Sequence, residues 1–197
     1  MLSNQKIAYY LQAFPELTPE DFTALFQLAT VRKLKAGEHY ISSGSASKHV
    51  AYVVNGLIRA LYIDEKGKEF TIRLHWEDQF FTSIDTVLRN RPSRFTYEAF
   101  EDTVLLEADY HKFTAFVDMT PRLFAAKTFF LQQMLAEALD RIEKFILLSP
   151  AQRYRQLVED RPDLAQRIPS KHIATLLGIT PVSLSRIRQR IAHSSKR

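Results

Sequence analysis

The 197-residue chain contains no cysteine. That excludes disulfides, cysteine-ligated zinc and cysteine-held iron–sulfur clusters, and it is compatible with a reducing compartment. No apolar run reaches the roughly 20 residues needed to span a bilayer. No charged-then-apolar leader opens the chain, and there is neither a low-complexity tract nor a repeat of fixed period. The expectation is a cytoplasmic protein with no membrane partner. Glycine is scarce, and four of the five glycines, at 37, 44, 56 and 67, fall in one stretch. Acidic residues are missing from one place: residues 164–197 carry seven of the 27 Lys and Arg and none of the 22 Asp and Glu. The whole chain is +5, so residues 1–163 sum to −2 and the excess positive charge is terminal. A solvated face would explain a charge run, but a stretch with no offsetting carboxylate is also a footprint for phosphate. The 46% hydrophobic content fits one large or two small well-packed domains.

The most informative stretch lies inside that basic end, from Ser170 to Gln189. Ile173, Ala174 and Leu177 make an apolar stripe at helical spacing, Gly178 breaks it, and Leu184 and Ile187 begin another. Gly178 can take the positive φ that ends a helix. Thr180 can cap the next helix while Pro181 occupies its first position. The spacing is that of a helix-turn-helix, although any two short amphipathic helices joined by glycine would share it. The outer face of the second helix carries Val182, Ser185, Arg186, Gln189 and Arg190, side chains suited to a major groove.

The rest of the chain falls into three parts. Residues 1–30 read as helical, with a start at Leu17-Thr18-Pro19-Glu20 and Phe22, Leu25, Phe26 and Ala29 on one face. From about Val31 to Asp109 short strands alternate with turns such as Asn55-Gly56 and Asp64-Glu65-Lys66-Gly67, which suggests an antiparallel jelly roll or barrel. Residues 119–148 read as one long helix. In it Phe124, Leu131, Ala138 and Phe145 recur every seven residues, as do Thr128, Leu135 and Ile142 between them. This is a coiled-coil seam that favours a second copy, or a stripe buried against the chain's own barrel. Ser149-Pro150 ends the helix and marks a hinge. The expected fold is therefore α+β with two domains. It comprises a jelly-roll sensor with helices (1–118), a dimerisation helix (119–148) and a helix-turn-helix domain (149–197) without an evident wing.

This order resembles the Crp/Fnr family of bacterial transcription regulators over essentially the entire chain. The barrel's share of the resemblance rests on Lys35-Ala36-Gly37-Glu38, on Gly44 and on Val53-Val54-Asn55-Gly56-Leu57-Ile58-Arg59. The more specific share is Ile173-Ala174-Thr175-Leu176-Leu177-Gly178-Ile179-Thr180 with Leu184-Ser185-Arg186-Ile187, which is similar to the family's DNA-binding motif. The resemblance implies a homodimer on a palindromic site in double-stranded DNA, with RNA polymerase as a further partner. Arg186 matches the arginine that reads guanine, with a phosphate or intramolecular contact as its other reading. Thr180 and Ser183 match positions that hold phosphate. Pro181 and Val182 stand where well-known members have an Arg-Glu pair, so the operator should differ. Lys196-Arg197 could replace the family's wing as a phosphate contact.

In cyclic-AMP-binding members a glutamate and an Arg-Ser pair hold the nucleotide. The corresponding positions here look like Ser83 and Ser93-Arg94 or Arg94-Phe95. These are the candidate ligand residues, Ser83 and Arg94, and they argue against cyclic AMP; Arg94 could equally be plain surface. A small-molecule effector of another kind stays open. No cofactor and no metal site is expected, because His39, His49 and His75 lack metal-ligand pairing. No nucleophile–base pair is evident, so the chain does not read as an enzyme. The rival readings are a cupin-like metal-dependent enzyme and a ligand sensor that binds proteins through its helical end.

Overall fold

The computed structural model describes residues 11–12 and 14–194. The first ten positions of the expected amino-terminal helix, and Lys196-Arg197, lie outside the described residues. Helix α1 is Pro19–Gln27, opened by a capping box in which the Thr18 hydroxyl accepts the Asp21 N–H and the Asp21 carboxylate accepts the Thr18 N–H. It stops earlier than the sequence reading places it, because Thr30 already belongs to β1.

Eight strands follow: β1 Thr30–Leu34, β2 His39–Ile41, β3 His49–Asn55, β4 Ile58–Ile63, β5 Glu69–His75, β6 Phe80–Thr82, β7 Thr96–Ala99 and β8 Thr103–Asp109. They form two four-stranded sheets in the orders β1-β8-β3-β6 and β2-β7-β4-β5, a jelly roll. The β1–β8, β2–β7, β3–β6 and β3–β8 pairs are antiparallel. Inward residues of both sheets, among them Leu34, Ile41, Val53, Ile58, Phe81, Ala99 and Leu105, make one core. Gly56 joins β3 to β4 at φ +105°, and a Cβ there would lie 2.8 Å from the Thr103 Cα. Only glycine fits so close to the facing strand.

Helix α2, Ile84–Val87, interrupts the strands. Helix α3, Tyr110–Met119, is capped by the Asp109 carboxylate and lies where the sequence reading passes directly from strand to long helix. The long helix α4 is Pro121–Leu147. Thr120 separates the two in an extended conformation, as the residue before proline prefers. α5 (Pro150–Asp160), α6 (Pro162–Arg167), α7 (Ser170–Leu176) and α8 (Pro181–Ser194) complete the chain. None of the described helices is long and apolar enough to cross a membrane.

The chain divides into two compact units, Met1–Ala60 with Leu74–Met134, and Leu61–Arg73 with Leu135–Arg197. In the first, α4 buries Leu123 and Ala126 against Phe14, Leu17 and Val117, and the Phe129 ring meets Phe14 edge-on at 5.2 Å. The seven-residue stripe lies elsewhere on the helix. Phe124, Leu131, Leu135, Ala138, Ile142 and Phe145 are exposed, and Thr128 is half-buried with its hydroxyl on the Phe124 carbonyl at 2.9 Å.

Candidate nucleic-acid interface

Local chemistry fixes the α7–turn–α8 unit. Gly178 sits at φ +71°. Its N–H donates to the Thr175 carbonyl at 3.1 Å, and the Ile179 N–H donates to the Ala174 carbonyl at 2.9 Å. This is a Schellman motif, which satisfies the last carbonyls of α7. The Thr180 hydroxyl then accepts the Ser183 N–H at 3.1 Å and meets the Ser183 hydroxyl at 2.9 Å, so Thr180 caps α8. Ile173, Ala174, Leu177, Leu184 and Ile187 are buried between the helices.

That packing fixes which face of α8 is left outside. Thr180, Pro181, Val182, Ser185, Arg186, Gln189 and Arg190 are exposed and Ser183 is half-buried. No described residue hydrogen-bonds or ion-pairs with Arg186. Arg188, counted with it in the basic run, is used internally: its Nε donates to the Tyr154 hydroxyl at 3.0 Å and its Nη1 to the Ser170 hydroxyl at 2.7 Å. Arg167 lies 3.6 Å from Asp163, so its charge is partly offset by an acid just outside the acid-free stretch. Arg161 grips the same carboxylate through two nitrogens and holds its pKa down at about 2.

Sequence reasoning missed the residue that ties this unit to α4. Arg153 on α5 donates to the carbonyls of Phe145 (3.3 Å), Leu148 (2.6 Å) and Leu177 (3.1 Å), with its guanidinium 4.5 Å from the centre of the Phe145 ring. One side chain thus satisfies the carboxy-terminal ends of both α4 and α7. A second unforeseen tie involves the β4–β5 hairpin. The Thr71 N–H donates to the Thr175 hydroxyl at 3.1 Å, and Arg73 pairs with Glu137 at 2.6 Å. Neither tie has a local sequence signal, because Arg153 reaches Leu177 across 24 residues and Thr71 meets Thr175 across 104.

In the barrel, Ser83 is 1% exposed, and its hydroxyl has no hydrogen-bond partner among the described residues. In the same domain the His75 and Phe81 rings stack at 4.8 Å, and Phe81 and Tyr97 at 5.8 Å. Arg94 is engaged: its Nε and Nη2 donate to the two oxygens of Asp85 at 3.0 and 3.1 Å. That hydrogen bonding holds the Asp85 carboxyl below its usual pKa. Among the described residues no three His, Asp or Glu side chains gather as a metal site.

Residues 31–119 match the family model described as "Cyclic nucleotide-binding domain". No curated protein matches the sequence. Among solved structures, the chain is similar to the c-di-GMP-responsive global regulator CLP of Xanthomonas campestris (TM-score 0.72, 12% identity, 90% of this chain and 93% of that one). It is similar to a CooA mutant from Carboxydothermus hydrogenoformans (TM-score 0.68, 18% identity, 87% and 79%). FixK2 of Bradyrhizobium japonicum is comparable (TM-score 0.67, 17% identity, 85% and 86%). Residues 31–119 thus match the cyclic nucleotide-binding domain model, and the chain shares its fold with these three solved structures.

Proposed function

We propose that the protein is a DNA-binding transcription regulator in which α7 and α8 act as a helix-turn-helix. In this reading residues 1–118 are the sensor, 119–148 the dimerisation helix and 149–197 the DNA-binding head. The observation that carries the reading is Arg186, exposed on a capped helix whose opposite face is locked by Leu184 and Ile187, with no described partner of its own. A guanidinium so placed can donate two hydrogen bonds to guanine O6 and N7. Val182 offers apolar contact to a thymine methyl, Ser185 and Gln189 offer donors and acceptors, and Arg190 with Lys171 adds charge. Thr180, Pro181 and Ser183 set the amino-terminal end of α8 against phosphate.

Two copies joined along Phe124, Thr128, Leu131, Leu135, Ala138, Ile142 and Phe145 would present two such helices to successive major grooves, about 34–36 Å apart. RNA polymerase is the further partner this reading entails, and no catalytic chemistry is part of it. The test begins with selection of bound sequences from random duplex DNA and continues with anisotropy titrations of Arg186→Ala on the selected site. The expected loss is about 5- to 150-fold for each half-site, from about 1–3 kcal/mol per arginine, with relaxed preference at one base pair in each half-site. Unchanged affinity and unchanged base preference would overturn the assignment.

A further inference from the structure

We propose that Phe145 is a positioning residue whose ring seats the turn of the helix-turn-helix on the end of α4 and thereby selects the separation of the two DNA half-sites. All the groups involved belong to the second unit. The Arg153 guanidinium carbon lies 4.5 Å from the ring centre and that of Arg141 lies 5.8 Å away, so both cations are within reach of the π-system. Gly178 meets the edge of the same ring. A Cβ built there would lie 3.1 Å from Phe145 Cε1 and 3.9 Å from Cζ. The turn between α7 and α8 thus rests on Phe145 with bare backbone, an approach that a side chain would crowd.

Hydrogen bonds brace the same contact. Arg153 spans the Phe145 and Leu148 carbonyls at the end of α4 and the Leu177 carbonyl next to Gly178. A planar guanidinium that stacks and donates at once leaves little freedom in the angle between the two segments it joins. Phe145 is also the last residue of the seven-residue stripe, and it is 41% exposed, so the head covers only part of it. One side chain therefore links the stripe to the head.

In the DNA-binding reading, on which this inference rests, that link acts on a lever. Helix α8 has 14 residues and is an arm of about 20 Å. A tilt of about 10° at its start moves its far end by about 3.5 Å, one base-pair step. Loss of the ring keeps the hydrogen bonds of Arg153 but removes the flat surface that fixes the tilt. The two heads then accept neighbouring separations.

Two measurements on the full chain test this. In the first, the half-site selected from random duplex DNA is repeated as an inverted pair at separations stepped by single base pairs, and anisotropy reads the affinity at each step. The native protein is expected to bind about tenfold or more weakly one step from its best separation, and Phe145→Leu to differ there by less than about threefold. The ratio between separations cancels any uniform loss from a weaker dimer, so a merely structural role for the ring would leave it unmoved. Phe145→Met serves if the leucine variant does not fold. In the second, denaturant unfolding without DNA compares Phe145→Leu, Gly178→Ala and the double variant. The positive φ of Gly178 penalises alanine equally in both backgrounds, so the approach to the ring is what couples the two positions. The loss of folding equilibrium constant on Gly178→Ala is expected to be about threefold or more smaller in the Phe145→Leu background. An unchanged separation profile with intact duplex binding, or additive effects in the cycle, would overturn this inference alone. A native chain that binds no duplex would overturn the DNA-binding reading and this inference together.

Discussion

Leu135→Glu is the most demanding test of how two copies would meet. Leu135 is 61% exposed on α4 and sits in the middle of the seven-residue stripe. Fully burying a leucine contributes about 1.5–3 kcal/mol, so covering the exposed part of this one contributes about 1–2 kcal/mol per protomer. Glutamate forfeits that in both copies and sets two carboxylates near each other across a dry seam. The combined cost is about 3–5 kcal/mol per dimer, a rise of roughly 100- to 5,000-fold in the dissociation constant. Sedimentation equilibrium over a range of concentrations reads this directly. Ala136→Glu is the control, since Ala136 is exposed but lies one step off the stripe. The expected result is a native dimer, an unaffected Ala136→Glu dimer and a Leu135→Glu monomer with native circular dichroism. A native chain that stays monomeric at tens of micromolar, or equal effects of the two substitutions, would refute the seam.

Two further substitutions probe the scaffold. Gly56→Ala should destabilise by about 3 kcal/mol or more, because it combines a positive φ with a Cβ driven into the β8 backbone at Thr103; a denaturant midpoint within error of the native value would contradict the close approach. Arg153→Ala should cost about 2–4 kcal/mol by stripping three carbonyls of a charged donor. Arg153→Lys should restore little of this, since one ammonium cannot serve the same spread of acceptors, and faster amide exchange at the ends of α4 and α7 would locate the damage.

The parts of this fold that could be read from the sequence are those whose determinants are local. The Gly178 break and the Thr180-Pro181 cap lie within four residues, and they give the α7–α8 geometry that the structure has. Asn55-Gly56 and the Asp64–Gly67 turn likewise punctuate the strands. What was illegible depends on residues far apart. Nothing local to the sequence marks Arg59 as buried, yet it is 2% exposed, with Glu98 at 3.1 Å. The Asp85 pairing with Arg94 requires the loop to fold back over nine residues, and Thr71 meets Thr175 across 104. The long-helix pattern left open whether the heptad stripe is buried by the chain itself. In the first unit it is a different stripe, Leu123 and Ala126, that α4 buries.

The same contrast separates what the terminal basic stretch contributes as charge from what it contributes as recognition. Among the described residues Arg188 donates only to neutral oxygens, so its charge still adds to the field around α8 while two of its nitrogens are engaged. Arg167 faces a carboxylate and contributes less to that field. Counterion release follows the field, so the salt dependence of duplex binding should be governed by Lys and Arg together. Base preference depends instead on donors that are both exposed and unspent, and by that criterion Arg186 outranks Arg188, two positions along the same helix. In the proposed reading a cationic end with no acids would suffice for attraction to a polyanion, whereas discrimination between bases would depend on the cap, the Schellman turn and the buried Leu184 and Ile187, which leave the Arg186 side chain exposed.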